Sequence, residues 1–507
     1  MQYRMEKNSR NYYDILIAGG GFAGSLTALA LEKSGFKICL LEKGKHPRFA
    51  IGESSTPVAD MILRTLSEKY DLRWLYDFSR YGSWQKSHPE IVCGIKRGFS
   101  FFKHNPAKEF TTDENHSNEL LVAASTSDEL SDTNWLRSDM DSYLINKVKE
   151  AGIDYFDLCE ITGLKRNSEW EFSITRSNEQ EIVYCDFFID ASGSGSLAAR
   201  LLAIESSSND FLTDSFALFS HFNNPAHWTE VLKEKGISMN DFPYDPDNSA
   251  LHQILDEGWM WMLRFNNERT SIGFVLDEKN GFYKGLSTEK IWNDLLKKYP
   301  SIGNILKDAK LYSDPGKIIR TERLQRKLDL CFGEGWVALP HTVGFVDPLF
   351  SSGIAFSLSG IEKLLALFTS HFRDHELFYK KLKEYQKGIF EELKLMDCLI
   401  AGCYKTMGDF QLFNVWSMLY FTATIAHEQR RLKNEAPGYF LNADDPSIKK
   451  IVYNSYQDLL KIISSSDSER NIKTFTNLVK ERIEPFNTAD LLDPSSKNIY
   501  RHTTAIL

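Results

Sequence analysis

The segment YDILIAGGGFAGSLTALALEKSGFKICLLEK, Tyr13–Lys43, constrains this chain more than any other. It reads as a β-strand, a glycine turn, a helix, a second turn and a second strand. Gly19, Gly21 and Gly24 spell G-x-G-x-x-G directly between strand and helix. In that context the first glycine permits a tight turn and the second lets backbone approach a pyrophosphate. The third lets helix and strand pack closely. The helix mouth at Phe22 and Ala23 presents free N–H groups and a positive dipole end to phosphate. Glu42 closes the second strand, placed to accept both ribose hydroxyls of an adenosine and to repel a 2′-phosphate. The nucleotide expected is FAD or NAD, not NADP.

Two more βα-like pieces follow. Trp135–Phe156 reads as an amphipathic helix and a strand, and Glu181–Leu202 as a strand ending in a small-residue loop. Gaps of about a hundred and about fifty residues separate the three pieces, too long for plain connections, so other elements are inserted between them. One insertion is visible in EGWMWMLRFNNERTSIGFVLDE, Glu257–Glu278. Trp259, Trp261, Leu263 and Phe265 alternate onto one face, NNER turns, and Ile272, Phe274 and Leu276 alternate back. That pattern predicts a β-hairpin of a second, antiparallel sheet. From about Ile361 to about Lys433 the pattern turns helical.

Composition narrows the function classes. Net charge is −9 with no long basic run, which argues against nucleic acid and against a polybasic membrane anchor. Seven scattered cysteines without a CxxC pair fit a reducing cytoplasm. The polar N-terminus and glycine-broken segment after it do not read as a signal peptide. The apolar run Phe413–Ala426 is shorter than the ~20 residues of a spanning helix and reads as a buried helix. The expectation is a soluble, cytoplasmic protein.

Beyond the second strand lies GKHPRFAIGESSTP, Gly44–Pro57. Fingerprint, terminal Glu42 and GES..P together resemble the FAD-dependent halogenase family, within the wider flavin monooxygenase class. GFVDPLFSSG, Gly344–Gly353, resembles that family's second flavin motif, and IDASGSGSLAAR, Ile189–Arg200, a strand–loop element beside the cofactor. The likeness runs to about residue 370. It implies an α/β fold: an interrupted Rossmann-like FAD-binding domain, an inserted antiparallel β-sheet substrate region and a helical C-terminal part. Expected boundaries are 1–210 for the FAD domain, with 75–130 lending to the substrate region, 211–330 for the β-sheet region, 331–365 for the return, and 366–507 for the helical part. Implied cofactor contacts are Gly19, Gly21, Phe22, Ala23, Gly24, Glu42, Arg48, Glu53, Ser54, Arg137 and Asp347.

In GFVDPLFSSG the Asp347-Pro348 step makes a rigid corner, since proline fixes φ and pushes the preceding residue out of the helical region. Ser351, Ser352 and Gly353 then open an apolar helix whose uncapped N–H groups attract an anion. The alternative is an ordinary serine N-cap. By resemblance these three residues hold the halide. Pro340-His341 stands where this class of flavin enzyme carries Gly-Asp, and an imidazole can still donate or accept a hydrogen bond.

VCGIKRGFSFFKH, Val92–His104, resembles the strand bearing the family's relay lysine, with Lys96 as the match and Lys103 as the rival. Trp259 and Trp261 resemble the family's W-x-W-x-I-P signature, with Leu263-Arg264 replacing Ile-Pro; there the tryptophans separate substrate from flavin. Their alternative role is core packing. Phe350 stands where tryptophan-acting members carry a glutamate, which leans toward a phenol- or pyrrole-type aromatic, free or carrier-protein-bound. His371 and His375 have the i,i+4 spacing of a metal pair without a third ligand, and no metal is expected. The implied chemistry is chloride or bromide transfer to an electron-rich aromatic, using O2 and FADH2 from a separate flavin reductase. Rivals are an FAD-dependent aromatic hydroxylase, a prenyl-chain reductase and a non-catalytic flavin-binding protein.

Overall fold

The computed structural model describes residues 11–279, 281–433, 435, 438–464, 468–501 and 503. Tyr12–Ala18 is apolar on both faces, as a strand covered by helices on both sides must be, and lies inside an eight-stranded sheet. It pairs in parallel with Glu179–Asp190 on one side and Ile38–Leu41 on the other. Asp154–Phe156 extends the sheet beyond Ile38–Leu41, and Trp336–Ala338 beyond Glu179–Asp190. The first strand therefore leads into neighbours on opposite sides, opening a crevice at the carboxyl ends of the strands. The helix Phe22–Lys33 follows the glycine turn directly. A Cβ on Gly24 would overlap the Gly19 carbonyl oxygen, so strand and helix meet this closely only through glycine.

A nine-stranded sheet stands behind the first. Its centre is the expected hairpin, Gly258–Arg264 against Arg269–Asp277, flanked by Ser215–Asn223 and by Ala250–Ile254. Gly98–Lys103 joins in parallel with Ala250–Ile254 and pairs in turn with Glu119–Ala123. Both faces are buried. Trp259, Trp261 and Leu263 face the main core, while Met260 and Met262 face a smaller core closed by the helices Thr288–Lys298 and Pro300–Leu306. Phe265 falls just past the strand rather than within it. The sheet's last strand, Ile499–Tyr500, comes from the C-terminal tail and pairs with Glu119–Ala123.

Three long helices, Ser352–His371, His375–Thr406 and Phe410–Leu432, pack over both sheets. Ser352–His371 is long and apolar enough to cross a membrane by length and composition, yet 72% of its apolar window is buried inside the protein as a core helix. The run Phe413–Ala426 is buried along its whole length within Phe410–Leu432. His371 ends one helix and His375 begins the next, so the expected shared helix face does not exist. Among the described residues no cluster of three metal-binding side chains occurs.

Candidate active site

A cavity of about 700 Å³ opens at the carboxyl edge of the parallel sheet. Gly19, Gly21, Phe22, Ala23 and Gly24 line one wall, with Glu42, Arg48 and Arg137 beside them. The 191–195 loop, Arg200, Arg326, His341, Phe345 and Gly353 complete it. Four arginines and Lys43 against two carboxylates, Glu42 and Glu160, make the cleft suited to an anion. Glu42 accepts hydrogen bonds from the Gly20 N–H at 2.7 Å and the Gly44 N–H at 2.8 Å, and Arg48 stands 3.5 Å from it. Those bonds fix the carboxylate at the strand's end and leave further lone pairs for ribose hydroxyls. Arg137 is held by Asp141 through paired contacts of 3.0 and 2.8 Å and lies over the Phe22 ring.

The residues present fit a flavin dinucleotide. Arg48 Nε, 3.5 Å from the Glu42 carboxylate, and His341 Nδ1 are buried polar atoms of cleft-lining residues that have no hydrogen-bond partner. His341 Nε2 lies 3.2 Å from the Ala191 carbonyl, which can only accept. Burial pushes the imidazole pKa down to about 4, so the ring is neutral near pH 7. Its one proton then sits on Nε2, and Nδ1 is left as a buried acceptor without a hydrogen-bond partner. An acceptor is what a carboxylate at this position would have offered a ligand hydroxyl.

Three expected cofactor contacts lie elsewhere. Gly52, at φ +87°, turns the chain so that Glu53 and Ser54 leave the cleft lining. Glu53 is buried against His221 of the second sheet at 2.8 Å, and Ser54 bridges to Asn134. Asp347 is also outside the lining. It accepts from the Leu349 N–H at 3.0 Å, from the Tyr404 hydroxyl at 2.8 Å and from Ser215 Oγ at 3.1 Å. Burial lifts its pKa to about 7. The role of this aspartate is to tie the 347–353 corner to a strand and a C-terminal helix.

The corner itself ends in Ser351, whose backbone is left-handed at φ +53°. Ser351 occupies the N-cap position of Ser352–His371, but its side chain caps nothing, so that helix mouth keeps its free N–H groups. Ser351 and Ser352 are buried, and only Gly353 of the three reaches the cleft. A Cβ on Gly353 would meet nothing nearer than the Phe345 ring at 4.0 Å, so there is room in front of the mouth.

Lys96 ends the short strand Cys93–Lys96 and is fully buried. Its Nζ donates to the Ser55 carbonyl and lies 4.1 Å from the centre of the Phe99 ring. Desolvation lowers its pKa to about 8, opposed chiefly by the charge of Asp132. Aromatic contacts lead from this lysine to the corner. Phe99 meets Phe421 at 5.6 Å, Phe421 meets Phe350 at 5.9 Å, and Phe350 stacks on Tyr420 at 4.0 Å. The rival Lys103 is engaged by Asp256 at 2.5 Å.

Trp259 and Trp261 share a face, with ring centres 6.0 Å apart. Trp259 contacts His252, which stacks on Phe101 of the Lys96 side. Trp261 contacts Phe219, which stacks on Phe49 of the segment entering the cleft. The pair therefore spans from one side to the other. Residues not expected from sequence include Asp132, Tyr404, Tyr420 and His252. Only three-dimensional pairing brings them here, and no local pattern announces them.

A parallel sheet with a basic dinucleotide cleft at its switch point, backed by a second sheet and a buried lysine, defines a flavoprotein of the oxidoreductase class. Residues 14–70 and 136–409 match the tryptophan halogenase family, and the chain belongs to it. Membership makes the protein an enzyme, a flavin-dependent halogenase with FAD as its cofactor. It is 25% identical over 439 residues to monodechloroaminopyrrolnitrin halogenase PrnC of Pseudomonas fluorescens, covering 85% of this chain and 74% of the relative. Tetracycline 7-halogenase of Kitasatospora aureofaciens is 24% identical over 434 residues, covering 83% and 75%. Among solved structures, halogenase PltM in complex with phloroglucinol and FAD superposes with a TM-score of 0.85 at 24% identity, covering 96% of this chain and 99% of that one.

Proposed function

We propose that this halogenase installs chloride or bromide on an electron-rich aromatic ring of the phenol or pyrrole type, with Lys96 as the relay. One observation carries the reading: a fully buried lysine whose ammonium rests on the Ser55 carbonyl and an aromatic face, joined by edge-to-face ring contacts to the corner before the helix mouth. Bound reduced flavin, with O2, supplies the oxidising equivalent that turns halide into hypohalous acid. The free N–H groups at the helix mouth, Ser352 and Gly353, hold the halide anion, favoured by the positive helix end, while the Ser351 N–H closes the corner on the Pro348 carbonyl at 2.9 Å. Trp259 and Trp261 block a direct path for an organic ring toward the cleft. Lys96 hydrogen-bonds the hypohalous oxygen and orients the halogen. The ring then exchanges an aromatic C–H for C–X, and its proton and the oxygen leave as water.

The substrate class is supported by the aromatic cluster of Phe99, Phe101, Phe350 and Phe421 that adjoins Lys96 through Phe99, and by the absence of a carboxylate at position 350. Relatives named for tetracycline and for a carrier-bound pyrrole, and a neighbour holding phloroglucinol, point the same way. A separate flavin reductase would supply reduced cofactor. Seven buried, unpaired cysteines suit a reducing cytoplasm. The test is mass spectrometry of a phenol and pyrrole panel, free and carrier-bound, incubated with enzyme, FAD, reductase, NADH and bromide. The expected product shows the paired bromine isotope pattern; oxygen insertion in its place would mark a hydroxylase and overturn the reading.

A further inference from the structure

The two-stranded ribbon that carries Lys96 holds a second functional group. Cys93–Lys96 pairs antiparallel with Asp132–Trp135, and the residue directly opposite Lys96 is Asp132. Opposed residues of an antiparallel pair project to the same side, so ammonium and carboxylate share one face. Both are buried, at 0% and 2% exposure, and the side-chain partner of Asp132 is a second carboxyl rather than a neutral donor. A desolvated carboxylate is costly unless its charge is compensated. Behind it stands Asp60 of the helix Pro57–Lys69, also buried, with its carboxyl within hydrogen-bonding reach of Asp132 and Ser55 Oγ donating to Asp60 at 3.2 Å.

We propose that Asp132, backed by Asp60, is a positioning residue of the halogen-transfer step, keeping Lys96 a charged hydrogen-bond donor inside a dry site. The proposal rests on the reading of Lys96 as relay. Two adjacent buried carboxyls do not both ionise. Burial raises the pKa of both carboxyls, and Asp132, directly across the ribbon from the Lys96 ammonium, is the one stabilised as the anion, so Asp60 holds the shared proton and donates it to Asp132. Asp132 is thereby the anion beside Lys96. The other groups facing this cluster add no competing anion. Arg64 is cationic and bonded to Ser79 at 2.9 Å, with Arg80 behind it. Tyr420 is held un-ionised and His252 neutral by burial. Without the Asp132 charge, desolvation would leave an amine with a lone pair, which accepts where the ammonium donates.

The experiment titrates Lys96 by NMR of lysine labelled at the ε-carbon, in cofactor-free protein, alongside the pH profile of kcat/KM. Asp132→Asn is expected to lower the Lys96 titration by roughly one pH unit or more and to move the alkaline limb of the profile down equally. FAD affinity is expected to stay unchanged. Asp60→Asn, whose amide can donate the same hydrogen bond, is expected to leave the Lys96 titration in place. Should Asp132→Asn not fold, Asp132→Thr is read in the same assays. An unmoved titration in the Asp132 variant, or an equal shift in Asp60→Asn, overturns the proposal. If instead the titration shifts as expected while Lys96→Ala keeps full activity, the relay reading has failed and the electrostatic pairing stands.

Discussion

Replacing Lys96 by methionine should abolish halogen transfer and stabilise the protein at neutral pH. The magnitude follows from burial. Lys96 is 0% exposed and its pKa falls from the ordinary 10.5 to about 8 on folding. That difference of about 2.5, at ~1.4 kcal/mol each, costs the fold about 3.5 kcal/mol wherever the lysine is protonated in both states. The sign is fixed by linkage. Because the folded pKa is the lower one, the unfolded chain binds more protons between pH 8 and 10.5, and stability rises with pH across that window. Methionine matches the length of the stem, carries no charge and keeps contact with Phe99. Its cost is the Ser55 carbonyl left without a donor, about 1 kcal/mol or somewhat more. A net gain of about 2 kcal/mol is expected at pH 7. The gap between variant and wild type should shrink by about 2.5 kcal/mol as pH rises from 7 to 10. Urea unfolding of both proteins across that range, followed by tryptophan fluorescence, reads this directly. A gap that does not change with pH would refute the desolvated-lysine account, as would a variant less stable at every pH.

The remaining predictions concern the cleft and the corner. His341→Ala removes the Nδ1 acceptor and should weaken FAD binding by roughly fivefold, the worth of one hydrogen bond of about 1 kcal/mol, read by flavin fluorescence quenching; unchanged affinity would mean that Nδ1 faces no ligand hydroxyl. Gly353→Val fills the space before the helix mouth without backbone strain and should raise the bromide KM at least tenfold, on the order of the 1.4 kcal/mol that one decade represents, while the melting temperature holds; an unaffected KM would move the halide elsewhere. Asp347 has a folded pKa of about 7 against an ordinary 3.8, so the folded chain binds the extra proton and stability falls as pH rises between those values. Asp347→Asn should flatten that fall, and a denaturation profile as steep as wild type would contradict it.

The parts of this enzyme that could be read from sequence are those whose chemistry is local. Gly19, Gly21, Gly24 and Glu42 lie within one strand–helix–strand unit, and the backbone they dictate is the one observed. The hairpin at Gly258–Arg264 was legible from alternation, but its outward face was not. Met260 and Met262 look like one more apolar run until a second core covers them. Glu53 was misplaced for a clear reason: it stands beside Gly52, whose positive φ reverses the chain and sends the carboxylate to His221 instead of the nucleotide. Asp347 was likewise read with the motif it interrupts, while its partners Ser215 and Tyr404 come from distant strand and helix positions. The pairing of Lys96 with Asp132 spans an antiparallel ribbon whose register no spacing rule fixes, and the two-residue strand Ile499–Tyr500 is too short to show any period.

The most direct test follows oxidised halide in wild type and Lys96→Ala, both given reduced FAD, O2 and bromide. Two acceptors are compared by mass spectrometry: a phenol, and monochlorodimedone as a scavenger of free hypohalous acid. The relay account predicts brominated phenol from the wild type. From the variant it predicts brominated scavenger and, with the phenol, only the isomer mixture that free hypobromous acid gives without enzyme. The same enzyme-directed phenol isomer at the same yield from both proteins would contradict it.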